Sequence, residues 1–125
     1  MKKDAFDAFC SSLPATFHVV QWGGATVWKV GTGEQSKVFA IAGWGDGARP
    51  AYTFKVSPIA YEMLREEPGL RPAPYLASRG MKWIQQYGSP GLGEADLKAY
   101  LAESHRLASR NLTKKLQRTL GLNPA

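Results

Sequence analysis

Residues 16–56 read TFHVVQWGGATVWKVGTGEQSKVFAIAGWGDGARPAYTFKV. Four stretches of this segment are rich in β-branched and aromatic residues and are separated by glycine-rich turns, a pattern typical of β-strands. Because the connections are short, neighbouring strands are expected to pair antiparallel. The segment therefore predicts a four-stranded meander with strands at Thr16–Trp22, Thr26–Val30, Lys37–Ala42 and Tyr52–Val56.

The flanking sequence predicts helices and one further strand. Ser57 and Pro58 are typical of a helix start, with serine as the N-cap and proline at the first helical position. The expected elements are helices over Asp4–Cys10 and from Ser57 to about Glu66, a strand over Lys82–Tyr87, a long helix from Glu94 and a last helix over Thr113–Leu120. This order predicts a single α+β domain over residues 1–125, with an antiparallel sheet of about five strands and helices packed on one face.

Hydrophobic spacing predicts which side chains are buried. Along the long helix, residues three and four apart form an apolar stripe of Leu97, Leu101, Ser104 and Ala108. In the second helix we expect burial of Ile59 with Met63 and of Ala60 with Leu64. Trp22, Trp28 and Trp83 are expected in the core and His105 on the surface, while the position of Trp44 stays open.

Composition excludes several classes of function. The 125 residues contain no apolar run long enough to span a membrane, and the charged N-terminal stretch is unlike a signal peptide. One cysteine and two histidines cannot supply the usual zinc clusters or a disulfide framework, and they fit a reducing cytoplasm. Ser104 and His105 are adjacent on a helix, so their side chains diverge and form no nucleophile–base pair. We therefore expect a cytoplasmic, non-enzymatic protein without metal or cofactor.

Positive charge is concentrated at the C-terminal end. The chain carries 16 Lys and Arg against 10 Asp and Glu, a formal net charge of +6. From Lys98 onward there are six cations and a single anion, Glu103, which accounts for +5. Such an uneven field favours a polyanionic partner. A basic helix face that is simply exposed to solvent explains the same pattern. The sequence alone supports a polyanionic partner and a solvated face equally.

Nucleic-acid binding requires cations that neutralise phosphates, together with polar or aromatic groups that contact bases. We predict two sets of cations for this role. They are Arg110, Lys114, Lys115 and Arg118 near the C-terminus, and Lys37, Lys55, Arg79 and Lys82 on strands and loops. The alternative is a protein-interaction module that uses an exposed aromatic sheet face. Exposure of Trp44, Trp83 and Tyr87 as an apolar patch would favour a protein partner, and exposure among cations would favour nucleic acid.

Several short stretches, taken together in their order, resemble the MmcQ/YjbR family along essentially the whole chain. They are Leu13-Pro14, Trp22-Gly23, Lys37–Ala40, Phe54–Val56, Pro72–Leu76, Lys82–Ile84, Ser104–Leu107 and Leu112–Leu116. The resemblance implies a compact α+β domain with a fold similar to the frataxin-like (CyaY) proteins. It also implies the "double wing" DNA-binding role predicted for that family.

The sequence departs from the family pattern at three places. Residues 15–20 lack the acidic side chains of the family, the loop Gly43–Pro50 is longer and richer in glycine, and Thr113 replaces a proline. Threonine still suits the start of a helix. The combined expectation is a monomer that binds DNA with weak sequence preference, with a protein-interaction module as the alternative.

Overall fold

The computed structural model describes residues 1–45, 50–76 and 80–122. These residues form four helices and six strands. In chain order they are α1 (Lys3–Ser12), β1 (Thr16–Gln21), β2 (Ala25–Gly31), β3 (Ser36–Gly43), β4 (Ala51–Lys55), α2 (Pro58–Leu64), β5 (Leu70–Pro72), β6 (Trp83–Gln86), α3 (Glu94–Ser109) and α4 (Lys114–Thr119). Within the described ranges, no helix is long and apolar enough to cross a membrane.

The six strands form one antiparallel sheet in the order β1-β2-β3-β4-β6-β5. The predicted meander β1 to β4 is confirmed, with strand ends that differ from the prediction by about one residue. The sheet has one strand more than expected, because β5 pairs with β6 through Leu70, Arg71 and Pro72. Prolines at 72 and 74 favoured a loop here. Proline is nevertheless tolerated in an edge strand, where its missing N–H removes no central ladder hydrogen bond.

The main core lies between one sheet face and α3. The predicted stripe Leu97, Leu101, Ser104 and Ala108 is buried, as expected. It packs against strand residues that include Phe39 and Phe54, together with Phe6 of α1. The hydroxyl of Ser104 lies 2.5 Å from the carbonyl oxygen of Lys55 and 2.8 Å from that of Tyr100. It therefore helps to hold the helix against β4.

The opposite sheet face carries a smaller apolar cluster of Ala25, Val27 and Ile41. Residues from the connections after β3 and β5, Trp44 and Leu76, pack against it. The helices α1, α2 and α3 contribute buried side chains to the main core and therefore lie on one face of the sheet, as predicted. Side chains from loops cover part of the other face.

Burial in α2 and at the end of β1 differs from the prediction. Ile59 and Met63 are exposed, whereas Leu64 is buried and Ala60 partly buried, as predicted, together with Tyr61, and α2 ends at Leu64 rather than near Glu66. The reason is that α2 packs at the β5–β6 edge of the sheet, so only one narrow stripe of this short helix is covered. Trp22 is also exposed, at 51%, because the chain turns away from the sheet directly after Gln21.

His105 is buried, which corrects the predicted surface position. It follows Leu101 by four residues and so lies on the same helix face. Its Nε2 is 2.7 Å from the carbonyl oxygen of Pro14, and its ring meets Phe39 edge to face at 5.4 Å. Burial lowers the pKa of His105, and the hydrogen bond to Pro14 opposes that shift only in part. The polar ring is accepted in the core because a backbone carbonyl partners it.

We expect His105→Leu to unfold more easily at pH 7.5, by about 1–3 kcal/mol, because leucine has no donor for the buried carbonyl of Pro14. The lowered pKa of His105 means that the unfolded chain binds more protons below about pH 6.5. Wild type therefore loses stability on acidification through this group, and the variant does not. Urea denaturation at pH 7.5 and 5.5 measures both. If the difference in unfolding free energy between wild type and variant is the same at both pH values, the lowered pKa of His105 is contradicted.

Candidate nucleic-acid interface

Gln117 fixes α4 against the end of α3. The side chain is buried, and its Nε2 donates to the carbonyl oxygens of Leu112 at 2.7 Å and Arg110 at 3.3 Å. Thr113 caps α4, since its hydroxyl accepts from the backbone N–H of Leu116 at 3.1 Å. A helix of one and a half turns is not stable alone. These contacts therefore decide where the charges of α4 are held.

The C-terminal cations point outward. Lys114, Lys115 and Arg118 are exposed on α4, and Arg110 is exposed where α3 ends. None of the four lies within 4 Å of a carboxylate of the described residues, whose ion pairs involve Lys3, Arg65, Lys98 and Arg106 instead. The four charges are thus available to a partner.

Glu103 is the carboxylate closest in sequence to these cations. It is hydrogen-bonded to the guanidinium of Arg106. That bond holds the pKa of Glu103 below its usual range, with a further contribution from the charge of Arg110. Glu62 is also engaged, with Arg65. These acids are therefore paired within their own helices.

A cleft of about 320 Å³ separates the β2–β3 hairpin from the α3–α4 connection. Residues 34–37, including Lys37, form one wall, and residues 111–113 form the other. A neighbouring cleft of about 310 Å³ continues along the same hairpin and is lined on its far side by Lys115, Leu116 and Thr119. Lys37 and Lys115 consequently flank one continuous groove, together with the carboxylate of Glu34. We call this surface the hairpin–α4 groove.

The other predicted cations do not join this groove. Lys55 lies on the opposite sheet face from α3, with its Nζ 5.6 Å from the ring of Trp83. Lys82 lies at the α2 edge, with its Nζ 4.6 Å from the ring of Tyr61. Arg79 lies outside the described residues. The structure therefore brings Lys37 to the C-terminal set and leaves Lys55 and Lys82 on separate surfaces.

The aromatic face also differs from the expected one. Trp83 is buried, and Tyr87 is half exposed with the guanidinium of Arg71 4.4 Å from its ring. Trp44 instead contacts Trp22 and Tyr75. The sequence prediction omitted Arg71, Tyr75 and Gln117 from the candidate surfaces. Spacing gave no signal for Arg71 and Tyr75, because their partners Gln85 and Trp44 come from other parts of the chain. Gln117 contacts carbonyls five and seven residues earlier, but a polar side chain carries no hydrophobic signal of burial.

Comparison with known proteins gives a family match and a structural match. The family model described as YjbR matches residues 11–107. The crystal structure of Deinococcus radiodurans protein DR2400, which carries a DUF419 domain, is similar with a TM-score of 0.84 and 22% sequence identity over 99% of this chain and 91% of that chain. This likeness shows the same α+β fold. The comparison with curated proteins finds no match.

We expect Gln117→Leu to loosen α4, because an apolar side chain of similar size leaves the carbonyls of Leu112 and Arg110 without this donor. The expected cost is about 1–3 kcal/mol of unfolding free energy. Hydrogen exchange should accelerate first at the amides of α4. Thr119→Ala, at an exposed position of the same helix, is the matched control. Equal protection of α4 in both variants would show that Gln117 does not hold it.

Proposed function

This chain belongs to the YjbR family, and we propose that it is a monomeric, non-enzymatic protein that binds DNA through the hairpin–α4 groove and the cations beside it. Lys37, Arg110, Lys114, Lys115 and Arg118 would neutralise phosphates. The observation that carries the proposal is the position of Lys37 across the cleft from the α3–α4 connection, because residues far apart in sequence thereby contribute cations to one groove.

The composition of the groove favours the phosphate backbone over the bases as its target. Lysines act as mobile point charges and carry little sequence information when they contact phosphates. The groove holds one carboxylate, Glu34, against Lys37 and Lys115. Arg110, Lys114 and Arg118 add positive charge outside it. Binding is therefore expected to be strongly dependent on salt and only weakly dependent on sequence.

The double variant Lys114→Glu, Lys115→Glu should bind duplex DNA about tenfold or more weakly at low salt, because two phosphate contacts become repulsive. The slope of log affinity against log salt should also become shallower by roughly two. Fluorescence anisotropy with a labelled duplex at several salt concentrations measures both quantities.

The matched control is Lys2→Glu, Lys98→Glu, which changes the net charge equally. Lys2 is exposed at the start of α1, and Lys98 lies beside the same helix, with its Nζ 6.0 Å from the ring of Phe9. If both double variants lose duplex affinity equally, binding depends on the overall charge of the protein and not on the groove. Failure of the wild type to bind duplex at micromolar concentration and low salt would reject the proposed function.

A further inference from the structure

Three aromatic side chains from three different connections meet at the sheet face opposite α3. Trp22 follows β1, Trp44 follows β3 and Tyr75 follows β5. The ring centroids of Trp22 and Trp44 are 6.0 Å apart, and those of Trp44 and Tyr75 are 6.2 Å apart. Trp44 packs on the small apolar cluster beneath it, while Trp22 is 51% and Tyr75 76% exposed. We call Trp22, Trp44 and Tyr75 the aromatic cluster.

All three residues have a left-handed backbone, with φ of +55° at Trp22, +61° at Trp44 and +68° at Tyr75. Bulky L residues rarely adopt this conformation, which costs about 1–3 kcal/mol at each position. Glycine adopts it without that cost. Two of the three rings are largely exposed, so burial does not explain why an aromatic side chain stands where the backbone favours glycine. Binding of a ligand to the exposed rings would explain it.

The sheet around the cluster carries positive charge only. The strand cations on this face are Lys29, Lys55 and Arg71, and the strands contain no Asp or Glu. The nine carboxylates of the described residues lie on α1, α2, α3, the residues just after α2, or the tip of the β2–β3 hairpin. The tenth, Asp46, lies in the undescribed segment 46–49, which also contains Arg49. The described charges on this face therefore complement a polyanion.

Gln85 links a cation directly to the aromatic cluster. Its side chain is fully buried, its Oε1 accepts from Arg71 Nε at 2.8 Å, and its Nε2 lies 3.5 Å from the carbonyl oxygen of Trp44. The guanidinium of Arg71 also stacks on the half-exposed ring of Tyr87 at 4.4 Å. A fixed cation is thus connected through one side chain to the backbone of Trp44, the central residue of the cluster.

We propose that the aromatic cluster, with Arg71 and Tyr87, is a binding site for single-stranded DNA. Unpaired bases would stack on the exposed rings of Trp22 and Tyr75, while Arg71 would contact a phosphate. Bases in a duplex already stack on one another, so this surface would discriminate against duplex DNA. The combination of flat rings and cations favours nucleic acid over the alternative of a protein partner, for which a larger apolar patch without charge is expected.

This proposal rests on the proposed DNA-binding function but uses a separate surface. The pair Gln21–Ala25 marks the sheet end next to Trp22, and the pair Gly31–Ser36 marks the end next to the hairpin–α4 groove. Six residues of strand separate these ends, a distance of about 20 Å. Substitutions on one surface therefore leave the other intact, and the two sites are separable by experiment.

The test compares a labelled oligothymidine of about 20 nucleotides with a duplex of the same length, a span that covers a typical single-strand site. The variant Trp22→Gly, Tyr75→Gly should bind the single strand about tenfold or more weakly and the duplex within about twofold of wild type. Quenching of tryptophan fluorescence by the oligothymidine should also diminish. Glycine suits the left-handed backbone at both positions, so the variant should keep a melting temperature close to that of wild type.

The matched control is Ile59→Ala, Met63→Ala, which removes two exposed apolar side chains of α2 and should leave single-strand binding unchanged. Unchanged single-strand affinity in the glycine variant would overturn the proposal, and so would parallel loss of single-strand and duplex binding. Self-association of wild type that the glycine variant abolishes, seen by sedimentation without DNA binding, would assign the cluster to a second copy and also overturn it. If wild type binds the single strand but not the duplex, and the glycine variant loses single-strand binding, the aromatic cluster is supported and the hairpin–α4 groove is rejected.

Discussion

The packing of α3 across β3 and β4 is the constraint on which the rest of the structure depends. Leu97 and Leu101 are fully buried in this contact, and Ser104 adds a hydroxyl 2.5 Å from the backbone of β4. His105 extends the contact to the connection between α1 and β1 through Pro14. Because α3 is held along its length, the α3–α4 connection is placed across the cleft from the β2–β3 hairpin. The location of α4, and with it the location of Lys114 and Lys115, follows from the packing of α3.

The same packing separates the charges of the molecule. Helical carboxylates such as Glu62, Glu94 and Glu103 pair with cations three or four residues away on their own helices, so they do little to neutralise the sheet. Strand cations such as Lys55 and Arg71 lie over aromatic rings instead. A cation over a ring keeps its full charge, whereas an ion pair cancels it. The faces of the sheet therefore differ in net charge even though the whole chain is only moderately basic.

The spacing of apolar residues within single segments correctly predicted the four strands of the meander and the buried side of the long helix. Alternation of apolar residues located β1 to β4, and the spacing from Leu97 to Ala108 located the buried side of α3. Tertiary packing determined the rest. Trp22 is apolar enough for a core, but the turn after Gln21 directs it to solvent. Ile59 and Met63 have helical spacing, but α2 meets only a sheet edge. Lys55 and Lys82 seemed equivalent in sequence, yet Lys55 pairs with Trp83 in the register, so the side chain of Lys82 points to the other face.

The family match covers only part of the chain, and the proposed binding residues lie partly outside it. It ends at residue 107, before Arg110 and the whole of α4, so the likeness to YjbR proteins describes the sheet and most of α3. The structural match extends over 99% of this chain but at 22% identity, which supports a shared backbone and says little about side chains. Fold alone does not determine function. The proposed DNA binding therefore depends on residues of this chain: Lys37 opposite the α3–α4 connection, Gln117 beneath α4, and Arg71 linked through Gln85 to the aromatic cluster at the opposite end of the sheet.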